Sequence, residues 1–112
     1  MRGINKVIIA GNVANDARYQ ETGSGVPCAT FKVACDRRGA NKGELITSWI
    51  KVNVYGEGMV ELCHSRLYKG GYLIVEGELM NRDGAAGEVT EVRAKEMVFI
   101  DTDSAGSYSD QE

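Results

Sequence analysis

The run Ile46-Thr47-Ser48-Trp49-Ile50-Lys51-Val52-Asn53-Val54-Tyr55 decides how the rest of the chain is read. Ile46, Ile50, Val52 and Val54 fall on one side, with small Ser48 among them. Thr47, Trp49, Lys51, Asn53 and Tyr55 fall on the other. Successive side chains of a strand point to opposite faces, so this alternation predicts a half-buried β-strand. Its outer side is unusual. It carries the only Trp of the chain and a Tyr, with a Lys and an Asn between them. Rings interleaved with a cation form a platform on which unpaired bases stack while phosphates meet the ammonium. The same rings also fit packing beneath a loop or in a subunit interface, because aromatics suit pleated surfaces and are enriched where subunits meet.

The remaining pattern supplies partners for that strand. Residues 4–13 are rich in Val and Ile and read as a first strand, with Gly11 marking a bend or a close backbone approach. Residues 14–27 read as a long connection or hairpin arm, with turn chemistry at Asn15-Asp16 and at Thr22-Gly23-Ser24-Gly25. Arg18 and Tyr19 within it are candidate ligand contacts. Residues 28–36 alternate again, with Ala29, Phe31, Val33 and Cys35 on the apolar side. Residues 37–44 then form a flexible basic loop. Residues 59–69 space Met59, Val60, Cys63 and Leu67 along one face of a short helix, with Gly70-Gly71 as its stop. Residues 72–80 read as a fourth strand, 81–87 as a hairpin tip containing Arg82, and 88–100 as a fifth strand. The fifth strand places Val92, Ala94, Val98 and Ile100 on one side and Glu91, Arg93 and Lys95 on the other.

This order predicts an all-β fold: a five-stranded Greek-key OB-fold barrel with one short α-helix between strands 3 and 4. Such barrels bind oligonucleotides on strands two and three and on the connecting loops. Here those are the aromatic strand, its neighbour and the basic loop between them. The expected domain spans residues 1–101, followed by a short acidic tail over 102–112, polar enough to be disordered.

Charge gives a positional signal. The chain carries 13 Lys and Arg against 16 Asp and Glu, a net −3. Four of those acids, Asp101, Asp103, Asp110 and Glu112, lie in the last twelve residues, which hold no base. Within 32–51 there are five bases (Lys32, Arg37, Arg38, Lys42 and Lys51) against two acids, Asp36 and Glu44. The expectation is a mildly basic patch around the aromatic strand with the acids elsewhere.

Other classes find little support. No apolar run is long enough for a membrane span, and the N-terminus leads straight into a strand pattern without a signal peptide, so a cytoplasmic protein is expected. The three cysteines, Cys28, Cys35 and Cys63, lack metal-ligand spacing and read as reduced and structural. The sole His64 reads as a surface helix residue. With one His and no phosphate-cradling loop, neither an enzyme nor a cofactor is expected. Glu76 and Glu78, two apart on one strand face, read as solvated or structural.

The chain also resembles a known family, the bacterial-type single-stranded DNA-binding proteins. The resemblance is carried by Arg2-Gly3-Ile4-Asn5-Lys6-Val7-Ile8-Ile9-Ala10-Gly11-Asn12-Val13, by Ala29-Thr30-Phe31-Lys32-Val33-Ala34 and by Ser48 to Gly56. It continues through Leu67-Tyr68-Lys69-Gly70-Gly71-Tyr72-Leu73-Ile74-Val75-Glu76-Gly77-Glu78-Leu79 to Glu91-Val92-Arg93-Ala94. It implies an OB-fold protein that coats single-stranded DNA with little sequence preference in replication, recombination or repair, usually as a homotetramer. Replication and repair proteins are further partners the family implies. Two stacking aromatics of the family map to Trp49 and Tyr55, where Tyr replaces the usual Phe. With them, Lys51, Arg37, Arg38, Lys42, Lys32, Arg82 and Arg18 are the expected phosphate contacts.

The departures are specific. Where the family often has a Trp after strand two, this chain reads Asp36-Arg37-Arg38-Gly39, and its last hairpin, 80–87, has no aromatic. Loss of two stacking platforms removes roughly 2–6 kcal/mol of gross binding per subunit, partly offset by the arginines there. The ending, Ser107-Tyr108-Ser109-Asp110-Gln111-Glu112, keeps acidity without an apolar tip, so a short form lacking tip-mediated recruitment is expected. The thinned aromatic set and acidic tail also fit an alternative, the primosomal replication protein B type, a dimeric module of the same fold that bridges replication proteins and DNA.

Overall fold

The computed structural model describes residues 1–100; residue 101, the last of the expected domain, and the expected acidic tail over 102–112 lie outside the described residues. Six strands and one helix follow in order: β1 (Val7–Val13), β2 (Arg18–Glu21), β3 (Pro27–Arg38), β4 (Leu45–Tyr55), α1 (Glu57–Arg66), β5 (Tyr72–Gly84) and β6 (Gly87–Ile100). The sheet order is β1-β5-β6-β4-β3-β2, and a further β1–β3 pairing closes five of the strands into a barrel. β4 and β6 run parallel; the other pairs are antiparallel. The five expected strands are these five, and the helix lies between β4 and β5.

Closure depends on glycine. A Cβ on Gly11 would run into the Ala34 carbonyl oxygen of β3, so only a bare backbone allows β1 to cross there. The barrel is filled by Phe31, Val33, Val52, Val54, Leu73, Val75 and Val92, all fully buried. Val60 and Cys63 of α1 join this cluster with Met59 packed against it, as the helical spacing anticipates, and Leu67 packs there too from just beyond the helix.

Several details differ from the sequence reading. The arm at 14–27 contains a sixth strand, β2, paired to β3 from Arg18↔Thr30 to Glu21↔Pro27. All four of its residues are exposed, so burial leaves no periodic trace there. α1 ends at Arg66, and Leu67 is already extended. Gly70 (φ 92) serves a later turn, in which Gly71 N–H donates to the Tyr68 carbonyl. Arg37 and Arg38 end β3 rather than belonging to the loop. The β5–β6 ladder extends to Gly84↔Gly87, which leaves only Ala85 and Ala86 at the tip.

The fifth-strand face is corrected most sharply. The register steps from Glu76↔Glu96 to Gly77↔Ala94, so Lys95 is an extra residue. One inserted residue reverses a period of two. Val92 and Ala94 therefore face the core, but beyond the bulge Met97 and Phe99 pack inward and Val98 is 54% exposed.

Candidate nucleic-acid interface

The outer faces of β3 and β4 form the site. Register places Trp49 opposite Ala34, Lys51 opposite Lys32, Asn53 opposite Thr30 and Tyr55 opposite Cys28. The small Ala34 beside Trp49 leaves the indole uncovered, and Trp49 is 63% exposed. Tyr55 is half-buried, with the Arg93 guanidinium 5.0 Å from its ring centroid. Tyr55 lies six positions along the strand from Trp49, roughly 20 Å.

Between them the register sets two lysines, Lys32 and Lys51, directly opposite each other. Like charges directly opposite each other across a ladder are destabilising. Lys51 lies 3.3 Å from a Glu91 oxygen, while Lys32 is exposed.

Glu91 corrects the expected charge map, since it stands within the basic patch rather than away from it. It is 5% exposed and accepts from Asn53 Nδ2 at 2.6 Å, Arg82 Nε at 3.1 Å and Arg82 Nη2 at 2.6 Å. These partners, Arg82 foremost, hold its carboxyl down to about 2 against the opposing effect of burial. The Arg82 guanidinium is pushed up in turn, chiefly by its hydrogen bond to Glu91. Asn53 is buried too, and its Oδ1 accepts from Thr30 Oγ1 at 3.0 Å. The sequence pattern put Asn53 and Glu91 on outer faces, correctly, but gave no sign that they bury each other.

Two open grooves meet along this line. One, of about 380 Å³, is lined by Asn15, Arg18, Gln20, Thr30, Lys32, Lys51, Asn53 and Arg82. The other, of about 630 Å³, shares Lys32, Lys51 and Arg82 and continues to Trp49, Ala85 and Val89. Arg18 reaches the first groove because β2 is anchored from its other side. Tyr19 stacks on His64 of α1 with ring centroids 3.9 Å apart and planes 14° apart. His64 is exposed on the helix, as expected.

The nine expected site residues thus divide. Trp49, Lys51, Lys32, Arg82 and Arg18 gather at the grooves, and Tyr55 sits at one end of the same strand face. Arg38 and Lys42 line a separate hollow of about 670 Å³ at the tip of the β3–β4 hairpin, with Arg37 beside them on β3. That tip is organised by Glu44, whose side chain accepts from the Asn41 N–H at 3.0 Å, and by Thr47 Oγ1 donating to Asp36 at 2.6 Å. Asn53, Thr30, Glu91 and Arg93 are the contributors that sequence reasoning left out of the site.

The arrangement suits a flexible polyanion with exposed rings: cations along the line, an uncovered indole at one end, a second ring at the other. Among the described residues, no group of three or more His, Cys, Asp or Glu side chains is placed to hold a metal ion. The Cys63 thiol is pushed up to about 11 by burial, so it is protonated and inert near neutral pH. Glu76 and Glu78 each pair with a lysine, Lys6 at 3.4 Å and Lys95 at 3.5 Å.

The sequence signature of the single-strand binding protein family matches residues 4–100. The chain belongs to that family. Single-stranded DNA-binding protein 2 of Chlorobaculum tepidum is 31% identical over 121 residues, covering 100% of this chain and 81% of the relative. The single-stranded DNA-binding protein of Xanthomonas campestris pv. campestris is 37% identical over 109 residues, covering 88% of this chain and 62% of that protein. Among solved structures, a Plasmodium falciparum SSB complex with ssDNA matches with a TM-score of 0.78 and 25% identity. That match covers 90% of this chain and 98% of the other. Five strands closed into a barrel, with one helix between β4 and β5, are the OB-fold expected from element order. No helix among the described residues is long and apolar enough to cross a membrane.

Proposed function

We propose that this family member binds single-stranded DNA along the outer face of β3 and β4, largely without sequence preference. The observation that carries the reading is the Lys32–Lys51 cross-strand pair, with Trp49 exposed on the adjoining row, on a barrel that matches a protein solved with single-stranded DNA. Bases stack on Trp49 and Tyr55. Phosphates are met by Lys32, Lys51, Arg82 and Arg18, and by Arg37, Arg38 and Lys42 as the strand passes the hairpin tip. Stacking contributes about 1–3 kcal/mol per base and is indifferent to base identity, while the cations supply a salt-sensitive backbone term. Such binding shields unpaired DNA in replication, recombination or repair. It is a holding function rather than a catalytic one, exercised in the cytoplasm.

The same reading includes a homotetramer. The outer face of β1, β5 and β6 aligns Ala10, Ile74 and Val98 in one row and Tyr72 and Ile100, with Asn12, in the next, and exposed Ile8 lies on the other side of the first row, opposite Glu76. An apolar sheet face of this kind suits a second copy of the chain. The relatives named above are single-stranded DNA-binding proteins, which does not favour the bridging-module alternative.

The deciding experiment is a titration with oligo-dT at low and high salt that follows Trp49 emission, the only indole signal in the chain. Quenching that weakens as salt rises is expected. Absence of both quenching and binding, the latter checked by anisotropy of a labelled oligonucleotide, overturns the reading.

A further inference from the structure

One buried acid ties four strands together beneath the grooves. Glu91 of β6 accepts from Arg82 of β5 and from Asn53 of β4, and Asn53 accepts from Thr30 of β3. Lys51 of β4 completes the cluster. The side chains are layered: that of Glu91 is 4% exposed, those of Lys51 and Arg82 36% and 43%. The acid therefore lies under the two cations, and both cations line both grooves.

The donors are divided in the same way. Arg82 spends Nε and one Nη2 hydrogen on Glu91, which leaves both Nη1 hydrogens and the second Nη2 hydrogen. Lys51 has three ammonium hydrogens and faces a single Glu91 oxygen. Long cationic side chains lose much rotamer freedom when a ligand fixes them, and a partner that fixes them beforehand removes that cost. A fork seated on a carboxylate at two points is fixed in position and in plane.

We infer that Glu91 is a positioning residue of the groove: it holds the Arg82 guanidinium and the Lys51 ammonium together so that their free donors receive one backbone phosphate. The inference rests on the single-stranded DNA reading. It makes a prediction opposite in sign to simple charge counting. An acid near a phosphate repels it, so counting says that removing Glu91 tightens binding. Loss of a seat says that binding weakens.

Glu91→Gln separates the two, because it keeps the side chain's size and an oxygen for Asn53. The expected result is an affinity for oligo-dT about tenfold lower, which corresponds to freeing two ordered side chains. The slope of log affinity against log salt stays unchanged, because the number of cations does not change. Unchanged or tighter binding, with a slope steeper by about 0.7, overturns the inference and makes Glu91 a plain counter-ion. The loss must also pass through Arg82. In an Arg82→Ala background, Glu91→Gln is expected to cost less than about threefold, and a full tenfold loss there assigns the effect to the fold instead. Should Glu91→Gln fail to fold, Arg82→Lys keeps the charge without the two-point seat. About threefold weaker binding at an unchanged slope supports the inference, and wild-type affinity overturns it. Wild-type protein that fails to bind oligo-dT overturns the single-stranded DNA reading itself, whereas wild-type binding with an indifferent Glu91→Gln overturns only this inference.

Discussion

Lys32 on β3 and Lys51 on β4 stand directly opposite each other in the barrel, a cross-strand pair of like charges on one face. A ladder built for stability alone would place opposite charges there, and like pairs cost a few tenths of a kcal/mol to about 1 kcal/mol. Lys51 is eased by Glu91; Lys32 is exposed. Replacing Lys32 with Gln is therefore expected to raise stability by up to about 0.5 kcal/mol in a denaturant melt. The same change is expected to shallow the salt slope of oligo-dT binding by about 0.7, one phosphate's share for a single strand. A loss of stability together with an unchanged slope would remove Lys32 from the interface.

Trp49 separates binding from folding. Its indole is largely exposed and makes no contribution to the core cluster. Trp49→Ala is expected to leave the unfolding midpoint within about 0.5 kcal/mol of wild type. Oligo-dT affinity should fall by about 1–3 kcal/mol, and Trp49→Phe should recover most of it, because a ring of either kind offers a face for stacking. Equal losses for Ala and Phe would mean that the indole N–H, not the ring face, makes the contact.

Acid stability reports on Glu91. Its carboxyl is held down to about 2, chiefly by the Arg82 hydrogen bond, with Asn53 and Lys51 adding to the effect. A depressed carboxyl contributes stability above its unfolded value, near 4.3, and loses it as pH falls toward the folded value. The window is therefore roughly pH 5 to 2. Solvent around the half-exposed Arg82 and Lys51 screens part of the attraction, so the contribution is about 2 kcal/mol. Wild-type protein is expected to lose that much more stability than Glu91→Gln between pH 5 and pH 2, measured by urea melts at each pH. Parallel curves for the two proteins would show that Glu91 titrates at an ordinary value.

How far the sequence could be read follows from what each feature leaves in it. The strand at 46–55 was legible because burial on one side leaves a period of two, and its neighbour at 28–36 because Ala29, Phe31 and Val33 repeat that period. The barrel followed from five such runs around one helix. The hidden parts break the period or mimic it. Lys95 adds one residue to β6, and a single insertion reverses every later side chain, so Val98 reads as core while Phe99 takes that place. Asn53 and Glu91 alternate like surface residues, yet they are covered by each other and by Arg82. Burial through hydrogen bonding leaves no apolar signature. β2 carries no buried residue at all, and its anchor, Tyr19 on His64, joins positions that sequence spacing does not relate.

The barrel's closure gives a stability test independent of any ligand. Gly11 passes so near the Ala34 carbonyl that a methyl group has no room, and backbone cannot move aside as a flexible side chain can. Overpacking against fixed structure costs about 1–3 kcal/mol, more where strand pairing must open. Gly11→Ala is expected at or above the upper end, because the adjacent Asn12↔Ala34 and Val13↔Val33 pairs are the ones that close β1 on β3. Gly23, with open space around it in the β2–β3 turn, supplies the control: Gly23→Ala should change the unfolding midpoint by less than about 0.5 kcal/mol. Because β3 carries Thr30 and Lys32 to the groove, Gly11→Ala should also weaken oligo-dT binding, and Gly23→Ala should not. Equal stability for the two variants would mean that β1 does not close on β3 at Ala34.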